Sequence, residues 1–193
     1  MQSSIVTAAS ATSQWQGLVR EAQRAAQTEL DEQLESYLVF LLMRFMGDTR
    51  VAARVLALDY LEGMQAAGSE RQLRLRDVGD RCLPVSGLFP QRAVRRRVSV
   101  GYFVRLGRGA YGHLAERLES SLAELYIRLE KGFVVLMDTL HALRDLDVET
   151  RAPVLTPLQA FDLWQETGSR SALRELRLAT RAATVRIGDD NIH

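Results

Sequence analysis

The stretch that decides the fold is Tyr37-Leu-Val-Phe-Leu-Leu-Met-Arg-Phe-Met46, in which nine of ten residues are apolar. A helix that is apolar on every side must be buried on every side, so the rest of the chain is expected to wrap around it. At roughly 1.5 Å per residue the stretch spans about 15 Å, half the thickness of a bilayer core. It therefore predicts a core helix of a globular protein.

Arg44 is the one polar residue in this run. A buried guanidinium needs a counter-charge, a path to solvent along its aliphatic stem, or a bound anion. A partner such as Asp59 or Glu62 could supply the counter-charge. We therefore single out Arg44 as a buried polar residue of interest.

A second central helix is predicted over 121–146, where Leu122, Leu125, Leu129, Phe133 and Leu136 recur at helical spacing. Together with 34–46, this helix is expected to form the centre of the fold. The fold class is all-α: a single-domain orthogonal or up-down helical bundle of about seven helices. The domain is predicted to occupy 13–185.

The two ends of the chain are predicted to lie outside the helical domain. Residues 1–12 are small and polar without periodicity, which is typical of a disordered segment, and 186–193 are predicted to form a C-terminal tail. The first residues do not form the basic and then apolar pattern of a secretory signal. The single cysteine, Cys82, suits a reducing compartment, so we expect a cytoplasmic protein.

Three local patterns define elements within the domain. Pro84, Gly87 and Pro90 predict a bend over 84–90, because a proline in a helix interior removes a hydrogen bond. Residues 98–106 alternate as a strand does, but the apolar positions also fit a longer helix capped by Ser99, and we favour the helix. A helix that starts at Thr156-Pro157 is predicted to end at Gly168. Its inward residues are expected to be Leu158, Phe161 and Trp164.

Basic residues are concentrated in the segment 71–108, which contains ten arginines and only two acidic residues. The net charge of the whole chain is +1. Such asymmetry favours an anionic partner or charge-complementary self-association. An alternative is that the basic segment packs beside acidic helices of the same domain. The candidate partner-binding or anion-binding residues are Arg92, Arg95, Arg96, Arg97, Arg105, Arg108, Tyr102 and Tyr111.

Other motifs are weaker. Gly107-x-Gly109-x-x-Gly112 matches a dinucleotide-binding fingerprint, but no strand follows it, so we interpret the glycines as close helix contacts. His113 with Glu116 and Asp138 with His141 have the three-residue spacing of helical metal ligands. Because the two pairs would lie about 17 Å apart in a helical hairpin, each is interpreted as a surface polar pair. Cys82 is interpreted as a core residue.

Three functions remain open from the sequence. The first is a non-catalytic interaction or regulatory module that uses the Arg-rich face over 92–108 to bind a protein partner or a second copy. The second is a binder of nucleic acid or another polyanion through the same face. The third is a small-molecule-binding protein with a pocket near the 84–90 bend. No catalytic residue, metal or cofactor is indicated, which favours a protein that is not an enzyme.

Overall fold

The computed structural model describes residues 2–46, 56–118, 120–146 and 154–189, which form nine α-helices. These are α1 (Gln2–Ala26), α2 (Glu32–Met46), α3 (Leu56–Gln65), α4 (Gly68–Gly87), α5 (Pro90–Arg95), α6 (Val100–Ala115), α7 (Ser120–Leu146), α8 (Pro157–Thr167) and α9 (Arg170–Asp189). The described residues contain no strand, and the helices form a single-domain bundle around one main core. The all-α prediction is confirmed, with more helices than the seven or so expected. Within the described ranges, no helix has both the length and the apolar character needed to cross a membrane.

Both α7 and α2 contribute buried residues to the core, although the most extensive helix packing is that of α6 against α4 and α7. Phe133 and Leu136 of α7 and Leu38 and Leu42 of α2 are almost completely buried. The apolar run of α2 is not buried on every side, however, because the Phe40 side chain is 63% exposed. Helices α1 and α7 pack against α2, and Phe40 lies on the side of α2 that does not contribute to the core. Burial on all sides was therefore a wrong expectation for this helix.

Helices extend beyond both predicted ends of the helical domain. Helix α1 begins at Gln2, so the described part of 1–12 is helical and not disordered. Helix α9 continues to Asp189, well into the predicted tail, while 190–193 lie outside the described residues. Extending an existing helix by one residue is far easier than nucleating a new one. A short segment can therefore continue a helix without an apolar stripe of its own.

The expected bend begins later than Pro84. Helix α4 continues through Pro84 to Gly87, and the chain then turns at Leu88 and Phe89. Because Pro84 has no N–H, it removes the helical hydrogen bond to the Asp80 carbonyl, but it does not end the helix. Helix α6 confirms the helical interpretation of 98–106, with the Ser99 side chain accepting a hydrogen bond from the Tyr102 backbone N–H.

Helix α8 has the predicted ends but presents a different side to the core. Thr156 forms a capping box with Gln159, and Gly168 ends the helix in the left-handed region at φ 73°. The three residues predicted to face inward are exposed: Leu158, Phe161 and Trp164. The buried residues are Ala160 and Leu163. The helix carries two apolar stripes, and the core takes the one with the smaller side chains.

Candidate functional site

An open groove of about 700 Å³ lies beside the turn that joins α5 to α6. Arg96 and Arg97 reach it from the turn, and Tyr102 and Arg105 reach it from the first turns of α6. We call this depression the Arg groove. Ser99 and four buried or half-buried apolar residues complete its lining; the apolar residues are Leu56, Ala57, Val98 and Phe103.

Three arginines line the Arg groove, and one of them, Arg105, is paired with a carboxylate. None of its described lining residues is acidic, and the first turn of α6 contains no acidic residue. The dipole of α6 adds positive potential at its N-terminus, where the Ser99 hydroxyl accepts the Tyr102 N–H and the Glu166 carboxylate lies against Gly101. Arg105 forms an ion pair with Glu166 of α8, with Nη1 2.6 Å from the Glu166 carboxylate oxygen Oε2. A negatively charged ligand is therefore favoured here.

Arg97 is held in an unusual backbone conformation. Its φ is 56°, in the left-handed region where glycine or asparagine is the common choice. The turn is fixed by hydrogen bonds from the Arg97 N–H to the Val94 carbonyl and from the Val98 N–H to the Ala93 carbonyl. A non-glycine residue in this conformation costs on the order of 1 kcal/mol. The turn thus keeps a charged side chain beside the groove at some loss of stability.

The remaining predicted residues do not join the groove. Arg92 packs over the Phe89 ring, 4.3 Å from its centroid, and Arg95 is exposed on α5. Arg108 lines a separate depression with His113, where His113 Nδ1 is 3.2 Å from a Glu116 carboxylate oxygen. This last pair is a surface polar pair, as expected.

Tyr111 is completely buried, so its assignment to the Arg-rich face was wrong. It lies nine residues after Tyr102, which is two and a half helical turns, and the two rings therefore project from opposite sides of α6. The Tyr111 hydroxyl donates a hydrogen bond to Asp80 Oδ1 at 2.9 Å, and the Tyr37 hydroxyl donates to the same oxygen.

Arg44 pairs with α4, and not with Asp59 or Glu62. Its guanidinium bonds Asp80 Oδ2 at 2.9 Å and Asp77 Oδ1 at 2.7 Å. Burial raises the pKa of Asp80, and the two tyrosine hydroxyls and Arg44 act in the opposite direction. Tyr37, Arg44, Asp80 and Tyr111 therefore form a polar cluster that ties α2, α4 and α6 together. Asp80 and Tyr111 are buried, but the Arg44 side chain is 44% exposed, so Arg44 is not the buried residue that we expected.

Asp138 and His141 were predicted to be a surface pair, but each is only 3% exposed. Asp138 lies at the N-terminus of α9 and accepts hydrogen bonds from Ser169 Oγ, Ser171 Oγ and the Arg170 N–H. His141 contacts Ser171 Oγ through Nδ1 and the Ser86 carbonyl through Nε2. Burial lowers the pKa of His141. We call Asp138, His141, Ser169 and Ser171 the α7–α9 cluster.

The glycine motif lies in the interior of α6, where it does not form a strand-to-helix turn. A Cβ on Gly107 would lie 2.5 Å from the Phe133 ring, and one on Gly109 would lie 3.3 Å from the Tyr60 hydroxyl. These are the close helix contacts that we expected. Cys82 is fully buried, and burial raises the pKa of its thiol, which suits the core role predicted for it.

The bend at the end of α4 packs tightly against α7. A Cβ on Gly87 would lie 2.5 Å from Leu140 Cβ and 3.2 Å from the Met137 carbonyl oxygen. Such contact leaves no room for a ligand between the end of α4 and this part of α7. The packing here gives no support to the small-molecule hypothesis.

Sequence reasoning did not identify the partners of Asp80, Ser169 and Ser171, because these partners lie far away along the chain. Ser169 alone carries a local signal, since a serine after the terminating Gly168 is a common N-cap. Comparisons with known proteins supply no further guide: no family model matches the chain, and no curated protein or solved structure is detectably similar to it.

Proposed function

We propose that the protein is a non-catalytic interaction module that binds an acidic, partly apolar protein segment in the Arg groove. The observation that carries the proposal is the composition of the groove. Three arginines and the N-terminus of α6 surround apolar side chains, and none of the described lining residues is a carboxylate. An acidic helix or strand with apolar residues matches both properties.

The groove favours a protein segment over nucleic acid. Phosphate groups need cations, but they gain nothing from aliphatic side chains such as Leu56 and Val98. Single-stranded nucleic acid also needs aromatic surfaces for base stacking. Tyr102 is available in the groove, whereas Tyr111 is buried in the core.

A second copy of the chain is a specific candidate partner. Helix α8 exposes Leu158, Phe161 and Trp164, and it contains two acidic residues, Asp162 and Glu166, but no basic residue. Asp162 lies beside Leu158 on this side and is complementary in charge to the Arg groove, whereas Glu166 is already paired with Arg105 of its own chain. The lone cysteine, which is buried, suits a reducing compartment, and we therefore propose a cytoplasmic setting.

The test is fluorescence anisotropy with a labelled amphipathic peptide of leucine and glutamate at helical spacing. The variant Arg96→Gln/Arg97→Asn/Arg105→Gln removes three charges, and asparagine suits the positive φ of residue 97. We expect the peptide to bind the variant about 10–100-fold more weakly, at about 1.4 kcal/mol per tenfold change. The matched control, Arg177→Gln on α9, should bind as the wild type does.

Equal affinity of the triple variant and the control would overturn the proposal. A labelled oligonucleotide serves as the competing probe. If the oligonucleotide binds more tightly than the peptide, with an affinity that falls steeply with salt, the partner is nucleic acid. Native mass spectrometry of the purified chain reports directly whether a second copy is the partner.

A further inference from the structure

The Glu166 carboxylate of α8 lies at the edge of the Arg groove. Its Oε2 accepts a hydrogen bond from Arg105 Nη1 at 2.6 Å, in an ion pair that joins α8 to α6. A Cβ on Gly101 would overlap the same oxygen, and the nearest atoms that such a Cβ would meet outside its own helix all belong to Glu166. The carboxylate therefore lies directly on the first turn of α6, in the space that a side chain at position 101 would fill.

The helix that carries Glu166 does not favour a carboxylate at this position. Glu166 lies in the last turn of α8, which ends at Thr167, and the negative end of a helix dipole repels a carboxylate there. The favourable charges come from α6, which supplies the Arg105 guanidinium and the positive end of its own dipole. We call Arg105 and Gly101 the carboxylate subsite, because these two residues of α6 hold the carboxylate in place.

The carboxylate subsite lies where the Arg groove meets a smaller cleft. This cleft, of about 40 Å³, separates the start of α6 from α8, and Gly101 and Glu166 both line it. Val98 and Ser99 line the cleft and the Arg groove alike. A ligand in the Arg groove therefore meets Arg105 with one carboxylate already bound to it.

The Glu166 side chain can leave the carboxylate subsite without opening the fold. It is 39% exposed, and the Arg105 side chain is 63% exposed. An ion pair with this much access to solvent contributes little to stability, because water and salt screen it. If a second carboxylate takes the place of the first, Arg105 stays paired throughout the exchange.

We infer that Glu166 is an internal substitute for a carboxylate of the acidic partner. It occupies the carboxylate subsite in the free protein, and on binding a partner carboxylate displaces it and Glu166 turns to solvent. This inference rests on the proposed function of the Arg groove. Because the exchange replaces one carboxylate by another, Arg105 gives a simple carboxylate anion little net affinity. A segment that also contacts Arg96, Arg97 and the apolar lining is therefore selected over small anions.

The test is the same anisotropy assay with the leucine–glutamate peptide. Glu166→Gln keeps the length of the side chain but removes its charge, so Arg105 is free for the peptide. We expect about two- to fivefold tighter binding, which is the range for release of an exposed ion pair. Gly101→Ala displaces the carboxylate without removing a charge, since its methyl group would occupy the position of the Glu166 oxygen, at the end of a flexible side chain. In the Gly101→Ala background, Glu166→Gln should therefore give no gain.

The matched background is Gly112→Ala, which adds the same methyl group to α6 beside a different glutamate. Its Cβ would lie 3.4 Å from the Glu130 carboxylate, an ordinary contact that displaces nothing. The gain from Glu166→Gln should persist in this background. An absent gain in the wild-type background, or an equal gain in the Gly101→Ala background, would overturn the inference.

The Arg96→Gln/Arg97→Asn/Arg105→Gln variant separates this failure from failure of the proposed function. If that variant loses the peptide while Glu166→Gln binds it as the wild type does, only the displacement of Glu166 is refuted. If the wild type and Glu166→Gln both fail to bind the peptide, or if the triple variant binds it as the wild type does, the proposed function is refuted and this inference with it.

Discussion

Replacing Tyr111 by phenylalanine removes one donor from the buried Asp80 carboxylate and leaves the ring in place. The Tyr111 ring packs beside Phe133 and Tyr126, with centroids 6.1 and 5.9 Å away, so the substitution opens no cavity. At pH 7 an ionised Asp80 then keeps Tyr37 and Arg44 but loses a bond of 2.9 Å. A hydrogen bond to a charged group contributes about 1.5–3 kcal/mol, so we expect a destabilisation of about 2 kcal/mol.

The same variant should be less harmful in acid. The pKa of Asp80 is raised by burial, so the folded carboxyl becomes neutral at a pH where an exposed aspartate is still ionised. A neutral carboxyl needs fewer donors, and the loss should shrink to about 1 kcal/mol. Urea unfolding of both chains at pH 7 and below pH 4 measures the difference, with Tyr102→Phe as the control. Equal destabilisation at both pH values would refute the role assigned to the Asp80 charge.

Three further variants test the packing. Gly107→Ala should destabilise the fold by about 3 kcal/mol or more in urea titrations, because its Cβ would meet the Phe133 ring at 2.5 Å and Cys82 Cβ at 2.8 Å. Cys82 should react with a thiol reagent only at the rate of unfolding, because burial removes access and raises the pKa of the thiol; fast reaction in buffer contradicts this. In thermal melts, Leu38→Ala should lower the free energy of unfolding by about 2–5 kcal/mol, and Phe40→Ala should lower it by less than about 0.5 kcal/mol. Equal losses in the two variants would contradict the orientation of α2.

Local sequence signals predicted the helices well. The apolar stripe of α7 is long enough to define a buried face by itself, and it accounts for Phe133 and Leu136 in the core. Capping chemistry is equally local: Asp31 accepts from the Leu34 N–H, and Ser99 and Thr156 cap α6 and α8 as expected. Each of these signals involves residues within a few positions of one another.

The choice of buried face in α8 was not predictable from periodicity. Leu158, Phe161 and Trp164 form one apolar stripe, and Ala160 and Leu163 belong to another. Periodicity shows that a stripe exists, but which neighbour packs on it depends on the tertiary arrangement. The stripe with the larger, aromatic side chains is the more hydrophobic of the two, and it was therefore predicted to face the core.

Part of the candidate site followed from sequence and part did not. Arg96, Arg97 and Arg105 were selected by charge density, and the structure brings them to one groove. Leu56, which also lines the groove, comes from a helix 40 residues earlier, and nothing local connects it to α6. The sequence alone could have excluded Tyr111 from the Arg-rich face. Tyr111 lies nine residues after Tyr102, and helical geometry therefore places the two side chains on opposite sides of α6.

The most direct test of the central claim is a map of amide chemical shifts on the isotope-labelled chain during titration with the leucine–glutamate peptide. We expect saturable chemical-shift changes concentrated at 96–105 and at Leu56 and Ala57, in and around the Arg groove. These shifts should disappear in the Arg96→Gln/Arg97→Asn/Arg105→Gln variant. Shifts centred on the exposed side of α8, or shifts that survive in the variant, would contradict the assignment of the Arg groove as the binding site.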